Sequence, residues 1–179
     1  MSIRELVARI QATPDCTVAD PISRADLHLP ALHPGHVLPD DLREFCGVCG
    51  GLTLFERSPY PMIVVPPPEV MLANAILFSG LMPEEQLASL EDISWTWYLI
   101  ARDEKRHYLT IDLSPERLGR CYDGSPGNHA HPGSSTIVAF SFTELLTCLY
   151  EDQGLHWLPK VVSLGDAYDG IDYKKDDPS

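Results

Sequence analysis

A chain of 179 residues, 44% of them hydrophobic, is long enough to bury a core and too short to divide readily in two, so one folded domain is expected and a disordered chain is excluded. A net charge of −13 and a pI near 4.7 set the surface against phosphate backbones and anionic lipid, leaving a basic protein as the natural partner rather than nucleic acid or membrane. No stretch approaches the roughly 18 apolar residues of a membrane span, Arg4, Glu5 and Arg9 break any signal-like run, and five cysteines without repeating spacing read as reduced thiols, all of which point to the cytoplasm.

Ile3, Leu6, Val7 and Ile10 follow i, i+3, i+4, i+7 and predict a short amphipathic helix ended by Pro14. Residues 12–37, with Pro14, Pro21, Pro30 and Pro34, lack periodicity and read as an irregular arm. A second helix is expected from Leu38-Pro39, with Asp40, Asp41 and Glu44 near its positive end and Leu42, Phe45, Cys46 and Cys49 on its apolar face. Gly50-Gly51 then lets the chain leave through a left-handed residue. Leu52–Phe55 and Met62–Val65 read as strands, the second stopped by three prolines. Residues 69–92 hold apolar runs too short for periodicity to separate helix from strand, with a helical turn expected from Pro83 through Leu87 and Leu90.

The centre of the chain is the stretch 93–113, ISWTWYLIARDEKRHYLTIDL. Trp95, Trp97, Leu99 and Ala101 alternate with Thr96, Tyr98 and Arg102, and Leu109, Ile111 and Leu113 alternate with Arg106, Tyr108, Thr110 and Asp112. Two half-buried strands folded into a hairpin are expected. Matching the apolar faces demands an odd loop. Asp103-Glu104-Lys105 fits, setting Trp97 opposite Ile111 and Leu99 opposite Leu109; because that register also opposes Arg102 to Arg106, a five-residue loop is the alternative. Arg120–Asp123 and Thr136–Phe140 read as further strands around the loop SPGNHAHPGSS. Ser141 and Glu144 form a capping box for a last helix with Phe142, Leu145, Leu146 and Leu149 on one face. Residues 165–179 read as a frayed acidic tail beyond a domain of residues 1–164.

Little here announces chemistry. Cys46-Gly-Val-Cys49 has the spacing of a redox pair or half a zinc site, but it closes a helix instead of opening one and shares the stripe of Leu42 and Phe45, so a core role is the simpler reading. His28, His33, His36, His129 and His131 have no second cysteine pair beside them, and Asp166, Asp169 and Asp172 are spaced by three where a calcium loop needs alternate positions. Asp112 and Asp123 are a conceivable acid–base pair, more simply partners of Arg117 and Arg120. With no hydrolase elbow, phosphate loop or dinucleotide fingerprint, a non-enzymatic protein without metal or cofactor is expected.

LPDDLREFCGVCGGLTLFE, then WYLIARDEKRHYLTIDLSPERLGRCYD, then IVAFSFTELLTCL, in that order over residues 38–158, resemble the SUKH superfamily, the bacterial toxin-immunity proteins related to fungal cell-wall-synthesis regulators. The resemblance lies on scaffold positions and departs where Cys49 stands for the Asn that often precedes the paired glycines. It implies what the residues also imply, an α+β fold of one domain with a twisted, mostly antiparallel sheet around a central hairpin and flanking helices. It further implies an immunity protein that binds and neutralises a cognate toxin domain, nucleases being common among such toxins. The expected binding surface is the polar face of the hairpin and its edges: Tyr98, Asp103, Glu104, Tyr108, Asp112, Tyr122 and Asp123, with Glu84 and Glu85. The alternatives are a regulatory scaffold docking several partners through the arm and tail, and a thiol or zinc protein built on Cys46 and Cys49.

Overall fold

The computed structural model describes residues 1–21, 35–59, 61–64, 71–73, 92–105, 107–153 and 164–171. Its described elements are helices α1 (Ile3–Gln11), α2 (Asp40–Val48) and α3 (Phe142–Glu151), and strands β1 (Thr17–Val18), β2 (Leu52–Leu54), β3 (Met62–Val64), β4 (Met71–Leu72), β5 (Trp97–Arg102), β6 (Tyr108–Asp112), β7 (Cys121–Asp123) and β8 (Ile137–Ala139). The strands form one antiparallel sheet in the order β1-β2-β3-β5-β6-β7-β8, and β4 continues along β5 beyond β3. The architecture is the expected α+β fold. Pro83 and its helical turn, Glu84, Glu85, His28, His33 and the tail beyond residue 171 lie outside the described residues.

The helices follow their apolar stripes. Ile3, Leu6, Val7 and Ile10 are buried on α1, whose Ser2 and Glu5 form a reciprocal cap. Pro39 occupies the N-cap of α2, one position ahead of the first helical residue, and Cys49 ends the helix in extended conformation before Gly51 turns with φ of 115°. On α3 the Ser141 hydroxyl accepts from the Glu144 amide, but the Glu144 carboxylate accepts from the Phe140 amide instead of closing the box on Ser141. The helices pack together over one sheet face, with Phe45 and Phe142 meeting edge to face at 4.9 Å. Each fully buried Phe, Leu or Ile of this cluster contributes about 1.5–3 kcal/mol of apolar burial.

Two expectations at the chain's margins are corrected. The arm contributes Thr17 and Val18 as a sheet edge, paired with Thr53 and Leu52. The first part of the tail is packed: Thr136 bridges Asp166, the Ile137 amide donates to the Gly165 carbonyl and the Ala167 amide to that of Ser135, and Ala167 and Tyr168 are buried. Two apolar side chains and an exposed backbone edge on β8 outweigh the acidic composition that made this segment look frayed.

The central hairpin has the five-residue loop 103–107, with Arg102 opposite Tyr108 and Ala101 opposite Leu109. Ile100 is then bulged, so Leu99 faces Thr110, Tyr98 faces Ile111 and Trp97 faces Asp112. One extra residue reverses the alternation. Leu109, Ile111 and Leu113 join the helix-side core as expected, but Tyr98 joins them and Trp97 goes to the opposite face. Trp95 lies in a 3₁₀ turn, Ile93–Thr96, N-capped by Asp92, and not in the strand.

Candidate partner-binding site

The face of the sheet away from the helices carries the polar residues from which a binding surface was expected. Thr110, Asp112 and Tyr122 occupy it together with Trp97 and Ile137, and all five are buried. Asp112 has 0% exposure and accepts five hydrogen bonds: from Thr96 Oγ1 at 2.6 Å, Trp97 Nε1 at 3.1 Å, Tyr122 Oη at 3.1 Å, the Ser114 amide at 2.9 Å and Arg117 Nε at 2.8 Å. Trp97 and Tyr122 stack with ring centres 4.3 Å apart, and His129 and Tyr168 close on the indole at 5.4 and 6.0 Å. A carboxylate with so many donors is satisfied without water, which is what allows it to be buried.

Burial removes the acid–base chemistry of this face. Burial first, and then the Asp112 charge, push the Tyr122 hydroxyl well above its ordinary range. Burial holds the His129 imidazole down to about 4, partly countered by Asp92, so the ring is neutral at pH 7. Gly124 passes so close to β6 that a Cβ there would meet Thr110 Cγ2 at 2.7 Å, which only glycine allows.

Asp103 and Asp123 are internal staples. Asp103 accepts from the Lys105 and His107 amides at 2.8 and 2.9 Å and pairs with His107 Nδ1 at 2.7 Å, closing the five-residue loop. Asp123 accepts from the Ser125 amide at 2.9 Å and from Asn128 Nδ2 at 2.7 Å, ordering the loop after β7. Tyr98 is buried on the helix side, its hydroxyl 3.0 Å from His36 Nδ1. Of the seven described residues expected on an exposed surface, five are thus buried; Glu104 is exposed and Tyr108 half-buried. The expectation of a contiguous exposed face is corrected: alternation marked the polar face, but Trp97, Tyr168 and Ala167 cover it.

Cys46 and Cys49 are 2% and 0% exposed, and burial raises both thiols to about 11. Cys49 Sγ donates to the Gly51 carbonyl at 3.0 Å and accepts from the Gly51 amide at 3.3 Å, tightening the helix exit. Neither is a thiolate at neutral pH. Among the described residues no three His, Cys, Asp or Glu side chains are grouped to hold a metal, and no helix is long and apolar enough to cross a membrane.

The signal that sequence reasoning missed is apolar and exposed. Val37, Leu118 and Phe140 are 41%, 39% and 50% exposed. Their segments converge on Gly119: a Cβ there would lie 3.7 Å from the Phe140 carbonyl oxygen and 3.9 Å from Pro39 Cγ, and the Val37 amide donates to the Leu113 carbonyl at 2.8 Å. Nothing in the local periodicity marks these positions, because they sit at element ends in three distant parts of the chain.

No protein-family profile matches the chain. Among curated proteins it is similar to the immunity protein YokJ of Bacillus subtilis (strain 168), with 42% identity over 175 residues, covering 96% of this chain and 99% of that protein. A match of that extent spans nearly the whole chain.

Proposed function

This chain belongs to the family of the immunity protein YokJ, and from that premise we propose that it is itself an immunity protein, a non-enzymatic member of the SUKH superfamily that binds a cognate toxin domain and neutralises it in the cell that makes both. The observation that carries the reading is the near end-to-end match to that protein. The site chemistry agrees with it. Asp112, Asp103 and Asp123 spend their hydrogen bonds inside the fold, and the thiol pair is protonated core. What the protein offers outward is charge. At −13 it attracts a basic partner over a Debye length of about 8–10 Å, which raises the association rate more than the affinity. A nuclease, whose cleft must be basic to hold phosphates, is the toxin class that this charge suits best.

The test is capture of the tagged chain from its native host at moderate salt, followed by mass spectrometry and by an activity assay of what is recovered. One stoichiometric basic domain from a large secreted protein, inhibited by the chain when both are purified, is the expected result. Several substoichiometric partners, none inhibited, would replace the immunity reading with a scaffold.

A further inference from the structure

We propose that Val37, Leu118 and Phe140 form the apolar centre of the surface that docks a basic toxin domain, with Asp40, Glu116 and Glu144 as its acidic rim. The inference rests on the immunity reading above and locates its interface. Five large hydrophobic side chains are exposed among the described residues: Met1, Val37, Leu118, Phe140 and Leu164. Val37, Leu118 and Phe140 come from separate parts of the sequence, and their segments draw together at Gly119, beside Leu118, where the Phe140 carbonyl and the Pro39 ring both approach. Single exposed apolar residues are ordinary, but convergence of three is not.

At Phe140 and Leu118 the local conformation is set by neighbouring groups. Phe140 follows the buried Ala139 and precedes the helix cap Ser141. Leu118 stands in the turn between β6 and β7, whose conformation is set by Gly119 at φ +85° and by the Asp112–Ser114–Arg117 hydrogen bonds. The support beneath them is firm. Asp41, at the start of α2, accepts from the Thr143 amide and hydroxyl at 2.8 and 3.0 Å, tying the N-terminal ends of α2 and α3 together. Such a base needs little reordering on binding.

The rim identifies the occupant. The Asp40 side chain is fully exposed and Arg43 reaches it only at 4.0 Å; Glu116 is exposed in the turn that carries Leu118; Glu144 holds its carboxylate on the Phe140 amide at 2.8 Å. Arg117 is committed to Asp112, leaving Arg43 and Arg120 as the nearby cations among the described residues. A second copy of the chain would bring another −13 to this acidic rim, whereas a basic domain offering an aromatic or aliphatic side chain among lysines and arginines matches both centre and rim.

The probe is a catalytically inactive form of the toxin domain recovered by the capture described above, measured by surface kinetics at two salt concentrations. Wild type is expected to bind. Leu118→Ser with Phe140→Ser should weaken binding at least tenfold, chiefly through faster dissociation, with an unchanged melting temperature. Asp40→Lys with Glu116→Lys should slow association and flatten its salt dependence, while Glu104→Lys, at the far end of the central hairpin, should stay within twofold of wild type. Wild-type affinity in both double variants overturns the docking site and leaves the immunity reading intact, as does loss of binding on Glu104→Lys alone. A wild-type dimer dispersed by the Ser variant, with toxin binding retained, also overturns it. Failure of wild type itself to bind sinks both.

Discussion

The two faces of the sheet are built from alternate residues of the same strands and reach the same dryness by different means. Toward the helices, Leu109, Ile111, Leu113 and Cys121 meet Phe45, Phe142 and Leu146 in a cluster whose cohesion is apolar area and close packing. On the opposite face Trp97, Tyr122, Ile137 and Tyr168 surround Asp112, and cohesion depends on every donor finding that carboxylate. The first face tolerates loss in proportion to volume removed. The second is a network, in which one missing group strands several others.

Deleting the hub should therefore have the largest effect. Asp112→Ala leaves Arg117, Trp97 Nε1 and the Tyr122 hydroxyl buried without their acceptor and is expected to cost about 3–5 kcal/mol; denaturant unfolding that shows under about 1 kcal/mol would mean the polar face is wet after all. On the apolar face Phe142→Ala should cost a similar 3–5 kcal/mol or so, through lost transfer energy and the cavity left beside Phe45. The two are separable: a larger residue at a neighbouring core position can refill the cavity, whereas no apolar replacement restores the acceptor.

Acid should act on the polar face. His129 has a native pKa near 4 because of burial, against about 6.5 in the unfolded chain, so between those values the unfolded chain binds a proton that the native one refuses. Stability contributed by keeping this ring neutral is full above pH 6.5 and falls as pH drops toward 4, by a total of about 3 kcal/mol. Unfolding followed across this range, with His129→Asn as the comparison, should show a slope in wild type that the variant lacks; parallel curves would place the acid sensitivity in the carboxylates instead.

Smaller effects sharpen the contrast. Cys46→Ser puts a hydroxyl where burial already holds the thiol protonated, and should lower stability by about 1–3 kcal/mol while leaving toxin binding unchanged. Thr110→Val should run the other way. The Thr110 hydroxyl is buried without a hydrogen-bond partner among the described residues, so an isosteric methyl should leave stability unchanged or raise it by up to about 1 kcal/mol, read as a shift in the denaturant midpoint. A clear loss would reveal a partner that this hydroxyl serves.

The helices were the most legible part of the fold. Ile3 to Ile10 and Phe142 to Leu149 each bury the stripe their spacing marks, since a period of 3.6 and a cap define a helix locally. The hairpin was legible in existence but not in register, because the Ile100 bulge has no local signature and one extra residue sends Trp97 to the face of Asp112. Burial of the polar face was not legible at all. Alternation shows that two faces differ; whether the polar one is covered depends on Tyr168, some 56 residues beyond Asp112 in sequence, and on the Tyr168 hydroxyl reaching Asp92 at 3.0 Å. The exposed patch escaped for a related reason, since the segments carrying Val37, Leu118 and Phe140 come together only in the folded sheet.

The most direct test of the immunity assignment is growth of cells in which the active domain captured with this chain is induced, alone or with this chain. The account predicts arrest without the chain, full growth with it, and arrest again with Leu118→Ser and Phe140→Ser combined at equal protein level. Arrest that the wild-type chain does not relieve would contradict it.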